Sequence, residues 1–170
     1  MLRLRDRKLH RVMHLRGYEY EPCFSPDGHR ILFVRNGISI WIAHADGSRP
    51  RRLIGRGVQG ASEPSFSPNG RRILFSGKVD FLDQALVMRR DGTHLHALTR
   101  SPRRTYPVSF SPDGMQIAFS REVDSDPPTR MGAFVMLSDG SGQRRIGPRR
   151  GSVSPGAWTR VPPGALPQPG

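Results

Sequence analysis

Gly55-Arg56-Gly57-Val58-Gln59-Gly60 has the GxGxxG spacing of a dinucleotide-binding loop. Glycines so spaced cradle a pyrophosphate only where a helix opens directly after them and presents its N-terminal amides. Here "ASEPSFSPNG" follows, and it begins a phrase that recurs elsewhere in the chain, so these glycines read as a flexible connection. His94 and His96 are two apart and would share one face of a strand, offering a metal two nitrogens. A metal needs further ligands, and none is evident locally. The equivalent positions of the neighbouring repeats hold Arg49 with Arg51 and Gly142 with Arg144, the pattern of an exposed outer strand. His10 and His14 present no better set. No GxSxG elbow is present, and no Ser, His and Asp group into a hydrolase signature. No catalytic residue, cofactor or metal site is therefore expected.

Acidic residues offer a different chemistry. In a chain of net charge +13, Asp80, Asp83, Glu122, Asp124 and Asp126 gather in two segments, "SGKVDFLDQ" and "SREVDSDPPTRM". The corresponding segment near residue 36 is only "RNG". Loops that vary while their surroundings repeat are where binding residues tend to sit. The site expected from sequence is a partner-binding rim of Asp80, Asp83, Asp124 and Asp126, with Tyr106 and Arg121 nearby.

What must position such a rim is a repeat. "EPCFSPDGHRILF" at 21–33 returns as "EPSFSPNGRRILF" at 63–75 and as "YPVSFSPDGMQIAF" at 106–119. Phe24, Phe66 and Phe110 stand 42 and 44 residues apart, so internal periodicity decides the architecture. After each Phe comes a four-residue turn: Ser25-Pro26-Asp27-Gly28, Ser67-Pro68-Asn69-Gly70 and Ser111-Pro112-Asp113-Gly114. Pro presets φ, Asp or Asn bonds the nearby backbone, and Gly accepts φ > 0. Apolar runs follow, then Asp-Gly turns at 46–47, 91–92 and 139–140, then a short closing strand. Each unit is thus four antiparallel strands, and a four-strand unit of 40–45 residues is the signature of a propeller blade.

These residues resemble the TolB-type, WD-like β-propeller repeat over about residues 8–147. The resemblance implies an all-β fold of three blades, about 19–60, 61–103 and 104–147. Residues 1–18 would hold the last strand of an incomplete preceding blade. Residues 148–170 would hold a degenerate fourth-blade start at Pro155–Trp158 and a Pro/Gly-rich tail. It also implies a non-catalytic protein-interaction scaffold, or else the accessory propeller piece of a prolyl-oligopeptidase-like peptidase. Proteins of this kind are usually periplasmic or extracellular, yet the basic N-terminus has no apolar signal core. Closed propellers carry more blades than three, so an incomplete ring leaves two sheet faces to be covered. The cover would be a longer protein or a second copy closing a six-blade ring.

Composition narrows the remaining classes. The longest apolar runs, such as "ISIWIA", are too short to span a membrane, and the single Cys23 excludes an internal disulfide. Of 27 basic residues only Lys8 and Lys78 are lysines, and the arginines fall as pairs along the whole chain without an RNA-reading or zinc-finger signature. Specific nucleic-acid recognition is accordingly not expected from sequence.

Overall fold

The computed structural model describes residues 12, 16–54, 58–124 and 129–147. Most of 1–18 and all of 148–170, where the incomplete terminal blades are expected, lie outside the described residues. So do His10, His14, Gly55–Gly57 and Asp126.

Twelve strands form three antiparallel four-stranded meanders. Blade 1 contains β1 (Glu19–Phe24), β2 (Arg30–Arg35), β3 (Ser39–His44) and β4 (Arg51–Arg52). Blade 2 contains β5 (Ser62–Phe66), β6 (Arg72–Val79), β7 (Leu82–Arg89) and β8 (His96–Ala97). Blade 3 contains β9 (Thr105–Phe110), β10 (Gln116–Glu122), β11 (Met131–Leu137) and β12 (Arg144–Arg145). No described residue is helical, and Gly60 leads directly into strand β5.

The recurring Ser-Pro-Asp/Asn-Gly phrase builds one turn three times. Ser25 Oγ donates to Asp27, Arg30 N donates back to Ser25 Oγ at 2.9 Å, and His29 N donates to Asp27 Oδ1 at 3.0 Å. Ser67 with Asn69 and Ser111 with Asp113 repeat the arrangement. The serines are buried (4%, 1% and 4% exposed), so the hydroxyl is an internal clasp rather than a surface group. The Ser25 hydroxyl, then the His29 amide, hold Asp27 below the usual carboxylate range; Ser111 and Met115 do the same to Asp113.

The glycines of the two turn types do different work. Gly28, at φ 72°, has open space where a Cβ would stand, so only its left-handed backbone requires glycine. A Cβ on Gly140 would meet Leu98 O of blade 2 at 2.7 Å, and one on Gly92 would meet Leu53 O of blade 1 at 2.9 Å. The Asp-Gly turns are therefore also points where one blade's backbone presses on the blade before it.

Burial on both faces explains why the middle strands are apolar without alternation. Ile73 and Phe75 of β6 and Leu86 and Met88 of β7 face blade 1, packing on Leu32, Ile40 and Ile42. Leu74, Ala85 and Val87, offset by one residue, face blade 3 and meet Phe110, Ile117, Phe119 and Met136. The core thus has one cluster at each of these blade junctions and a third, of Ile31, Phe33 and Ala43 with Trp41, on the far face of blade 1. The faces turned away from blade 2 are also shielded: Phe33 and Ile31 on blade 1, and Ala118, Ala133 and Val135 on blade 3, are all buried. The blade 1 Phe of the repeat is not, since Phe24 is 54% exposed.

Candidate partner-binding rim

The hairpin ends β2–β3, β6–β7 and β10–β11 lie at one end of the blades, together with the links between blades. The segment expected to be a long blade 2 loop is mostly strand. β6 and β7 pair from Arg72↔Arg89 to Val79↔Leu82, leaving only Asp80 and Phe81 as the turn. Both have positive φ, 51° and 66°, the conformation that a right-twisted two-residue hairpin demands. The cross-strand pairing of Val79 with Leu82 outweighs the unfavourable backbone of two non-glycine residues. Phe81 is consequently held out in solvent, 90% exposed, and Asp80 beside it is exposed as well.

Asp83 and Tyr106 are brought together across the blade 2–3 junction. Tyr106 OH donates to Asp83 Oδ2 at 3.2 Å. Arg104 lies 4.0 Å from that same carboxylate and 4.0 Å from Glu122, and its backbone N donates to Glu122 Oε2 at 3.2 Å. Partial burial, followed by the charge of Asp83, raises the Tyr106 hydroxyl pKa. The link beneath this network is pinned by Gln84, which is 1% exposed. Its amide donates to Ser101 O at 3.0 Å and Arg103 O at 3.1 Å, and its carbonyl accepts from Thr99 Oγ1 at 2.8 Å and Ser101 N at 3.0 Å.

Two expected rim residues are used internally. Asp124 accepts from both the backbone N and the guanidinium Nε of Arg130, which ties off the β10–β11 connection and keeps the Asp124 pKa low. Arg121 stacks over Phe119 and Phe134 (5.0 and 5.5 Å to the ring centroids) and donates to Thr105 Oγ1 and Gln143 Oε1. These contacts hold blade 3 together. Burial lowers the Arg121 pKa from the ordinary guanidinium value. Asp126 lies outside the described residues.

Sequence reasoning missed the inner strands. Glu21 and Glu63, each before a proline, sit at strand irregularities with φ 54° and 55°. A proline cannot donate to the ladder, so it belongs at such a break. Glu63 N donates to Glu21 Oε2 at 2.6 Å, joining the inner strands of blades 1 and 2. Glu63 keeps part of its surface open, yet desolvation, then Glu21, then Asp83, push its carboxyl above the ordinary range. Glu63 and Tyr106 line a cleft of about 550 Å³ with Pro107, Val108, Ser120 and Met131. The repeated Glu-Pro pair was the available signal.

The paired histidines make local contacts: His96 Nδ1 is 2.9 Å from His94 O, and His94 Nδ1 is 3.0 Å from Thr93 Oγ1. Among the described residues, no three His, Cys, Asp or Glu side chains are grouped to hold a metal ion.

Three four-stranded meanders, with the first strands of blades 2 and 3 packed on the preceding sheet, are β-propeller blades. The chain belongs to the TolB beta propeller domain family, whose model matches residues 1–162. Among solved structures it is similar to a protein assigned as TolB in Agrobacterium tumefaciens, with 25% identity and a TM-score of 0.62 over 77% of this chain and 49% of that one. It is also similar to TolB from Acinetobacter baumannii, with 19% identity and a TM-score of 0.66 over 83% of this chain and 35% of that one. The tricorn protease shares the fold at 15% identity and a TM-score of 0.58, over 73% of this chain and 14% of its own. The chain thus spans half or less of each of these structures. No curated protein matches it.

Proposed function

We propose that this chain is a non-catalytic propeller segment that binds a protein partner through the hairpin rim of blades 2 and 3. The observation that carries this reading is the Tyr106–Asp83–Arg104–Glu122 network, whose Tyr106 lines the cleft at Glu63, at the same end of the blades as the exposed Phe81 of the β6–β7 turn. An exposed aromatic side chain on the same face as a polar network is the composition of a protein interface. The rim is preorganised, because Gln84 fixes the link beneath it and the hairpin holds Phe81 out. Binding therefore costs little ordering.

A photo-crosslinking side chain in place of Phe81 tests this in cells that express the protein. A discrete crosslinked species is expected from position 81 and none from Met115, which is also exposed, in the opposite turns. Asp83→Asn together with Tyr106→Phe should abolish it. Crosslinking of equal strength at both positions would remove the rim as the site. The second reading, an accessory propeller segment of a hydrolase, draws on the similarity to the tricorn protease and to puromycin hydrolase. It predicts that the species captured at position 81 carries a hydrolase domain.

A further inference from the structure

Arginine pairs that look scattered along the chain become ordered in space. Arg51-Arg52 constitute β4 and Arg144-Arg145 constitute β12. On β8, His96 occupies the register position of Arg51 and Arg144, each opposite the same strand position of its sheet. Arg49 and His94 stand just before these strands and are exposed. The inner strands differ: β1 carries Glu19 and Glu21, β5 carries Glu63, β9 carries no charged residue, and none of the three carries a base. Basic side chains on these strand pairs thus lie on the outer side.

The three ion pairs among the described residues all lie at the hairpin rim, linking Arg104 to Asp83 and Glu122 and Arg130 to Asp124. Arg49, Arg51, Arg52 and Arg144 take no part in them and are exposed. The band also continues across the junctions. Arg51 reaches the Asp91 carbonyl of blade 2 at 3.3 Å. Between blades 2 and 3 runs a groove of about 270 Å³ whose polar walls are Arg72, Arg89, His94, His96, Ser138 and Asp139. The one carboxylate there, Asp139, already accepts from Ser141 N and Oγ.

We propose that the outer strands β4, β8 and β12 bind the sugar–phosphate backbone of a single-stranded nucleic acid without reading its sequence. Guanidinium groups on β4 and β12, with His94 and His96 of blade 2 between them, suit a flexible linear polyanion, which can follow the outer edge from blade to blade. A flat anionic membrane would meet such an edge at one blade only. The band also lacks exposed aromatics among the described residues, Phe81 being at the hairpin rim. Without aromatic faces there is no base stacking, so phosphate contacts supply the affinity. This site is separate from the rim and stands or falls without it.

Fluorescence anisotropy with labelled 20-nucleotide poly(U) and poly(dT), titrated at several salt concentrations, tests the proposal. The two homopolymers should bind similarly, with affinity falling steeply as salt rises. The triple variant Arg51→Gln, Arg52→Gln, Arg144→Gln should lose more than about tenfold in affinity at low salt. Its salt slope should shrink by roughly two, since each phosphate contact on a single strand contributes about 0.7. A charge-matched control, Arg16→Gln, Lys78→Gln, Arg100→Gln, removes the same charge from exposed positions off the band and should change affinity less than about threefold. If folding of the triple variant is impaired, Arg51→Gln with Arg144→Gln should show the same ordering against a double control. Equal losses in band and control variants would reduce the effect to net charge and overturn the proposal. Absence of binding, or binding to phosphatidylglycerol vesicles in preference to poly(U), would overturn it too.

Discussion

Phe24 and Phe110 occupy the same place in the same phrase, end the same kind of inner strand and lead into the same clasped turn. Yet Phe24 is 54% exposed and Phe110 only 6%. The difference comes from the neighbour on the N-terminal side. Phe110 lies against blade 2, in a cluster with Leu74 and Val87, and the Arg72 guanidinium covers its ring at 5.0 Å. Phe66, with 9% exposure, sits likewise against blade 1. No described blade precedes Phe24. The repeat phrase therefore encodes the inside of a blade and a knob for the previous one, while the burial that makes the knob stabilising belongs to the pair.

The sharpest test compares truncations of the two side chains. Phe110→Ala should cost about 3–5 kcal/mol, the range for emptying a packed aromatic site. Phe24→Ala should cost under about 1 kcal/mol, as for an exposed position. Urea unfolding followed by far-UV circular dichroism measures both. Similar costs would mean that Phe24 is covered in solution, by a second copy or by another segment, and size exclusion would separate those cases.

A smaller contrast sets the two glycine types against each other. Gly140→Ala brings a methyl within 2.7 Å of the blade 2 backbone and keeps a left-handed φ. It should cost about 2 kcal/mol or more, combining overpacking with the unfavourable backbone. Gly28→Ala meets nothing and should cost about 1–2 kcal/mol from φ alone. The same denaturation assay decides. Equal costs would mean that the Asp-Gly turn yields without disturbing the junction.

Arg72 adds a third comparison. It bonds the Ser138 and Gly114 carbonyls of blade 3 at 3.0 and 3.4 Å while stacking on Phe110. Blade 3 has Gln116 at the same register and cannot offer that stack to a following blade. Arg72→Met keeps the aliphatic stem and should destabilise by about 1–2 kcal/mol, the sum of a half-buried cation–π contact and its hydrogen bonds. The reverse change, Gln116→Arg, should leave stability within about 0.5 kcal/mol.

How much of this was legible in the sequence follows from what repeats. The Phe-Ser-Pro-Asp-Gly phrase exposed the strands, the turns and the blade count, because turn chemistry is local and three copies corroborate one another. The rim was less legible. "SGKVDFLDQ" reads as a loop by composition, whereas its backbone stays paired to Val79 and Leu82 because pairing overrides the poor propensities of Gly77 and Asp80. Asp124 and Arg121 look free in sequence and are committed to Arg130 and to Phe119 with Phe134, contacts that only the folded sheet creates. Glu21 and Glu63 lie within the repeat itself. Their significance depends on two inner strands from different blades lying side by side, which no single repeat reveals.

The inner strands yield the smallest effect and one of opposite sign. Asp27 and Asp113 have lowered carboxyl pKa values, so their contribution is present above the unfolded-state value and is lost as pH falls through the folded one. Glu63 runs the other way. With its pKa raised by desolvation and by Glu21 and Asp83, the folded protein holds that proton more tightly than the unfolded chain. Its contribution is complete below the ordinary glutamate value and is lost as pH rises through the raised one. Glu63→Gln removes the charge and keeps the amide that binds Glu21, so it should raise stability at neutral pH by a fraction of a kcal/mol and leave it unchanged near pH 4. Thermal melts of the two proteins at pH 4 and pH 7 measure this directly. A gain of the same size at both values would assign the effect to packing and not to the Glu63 charge.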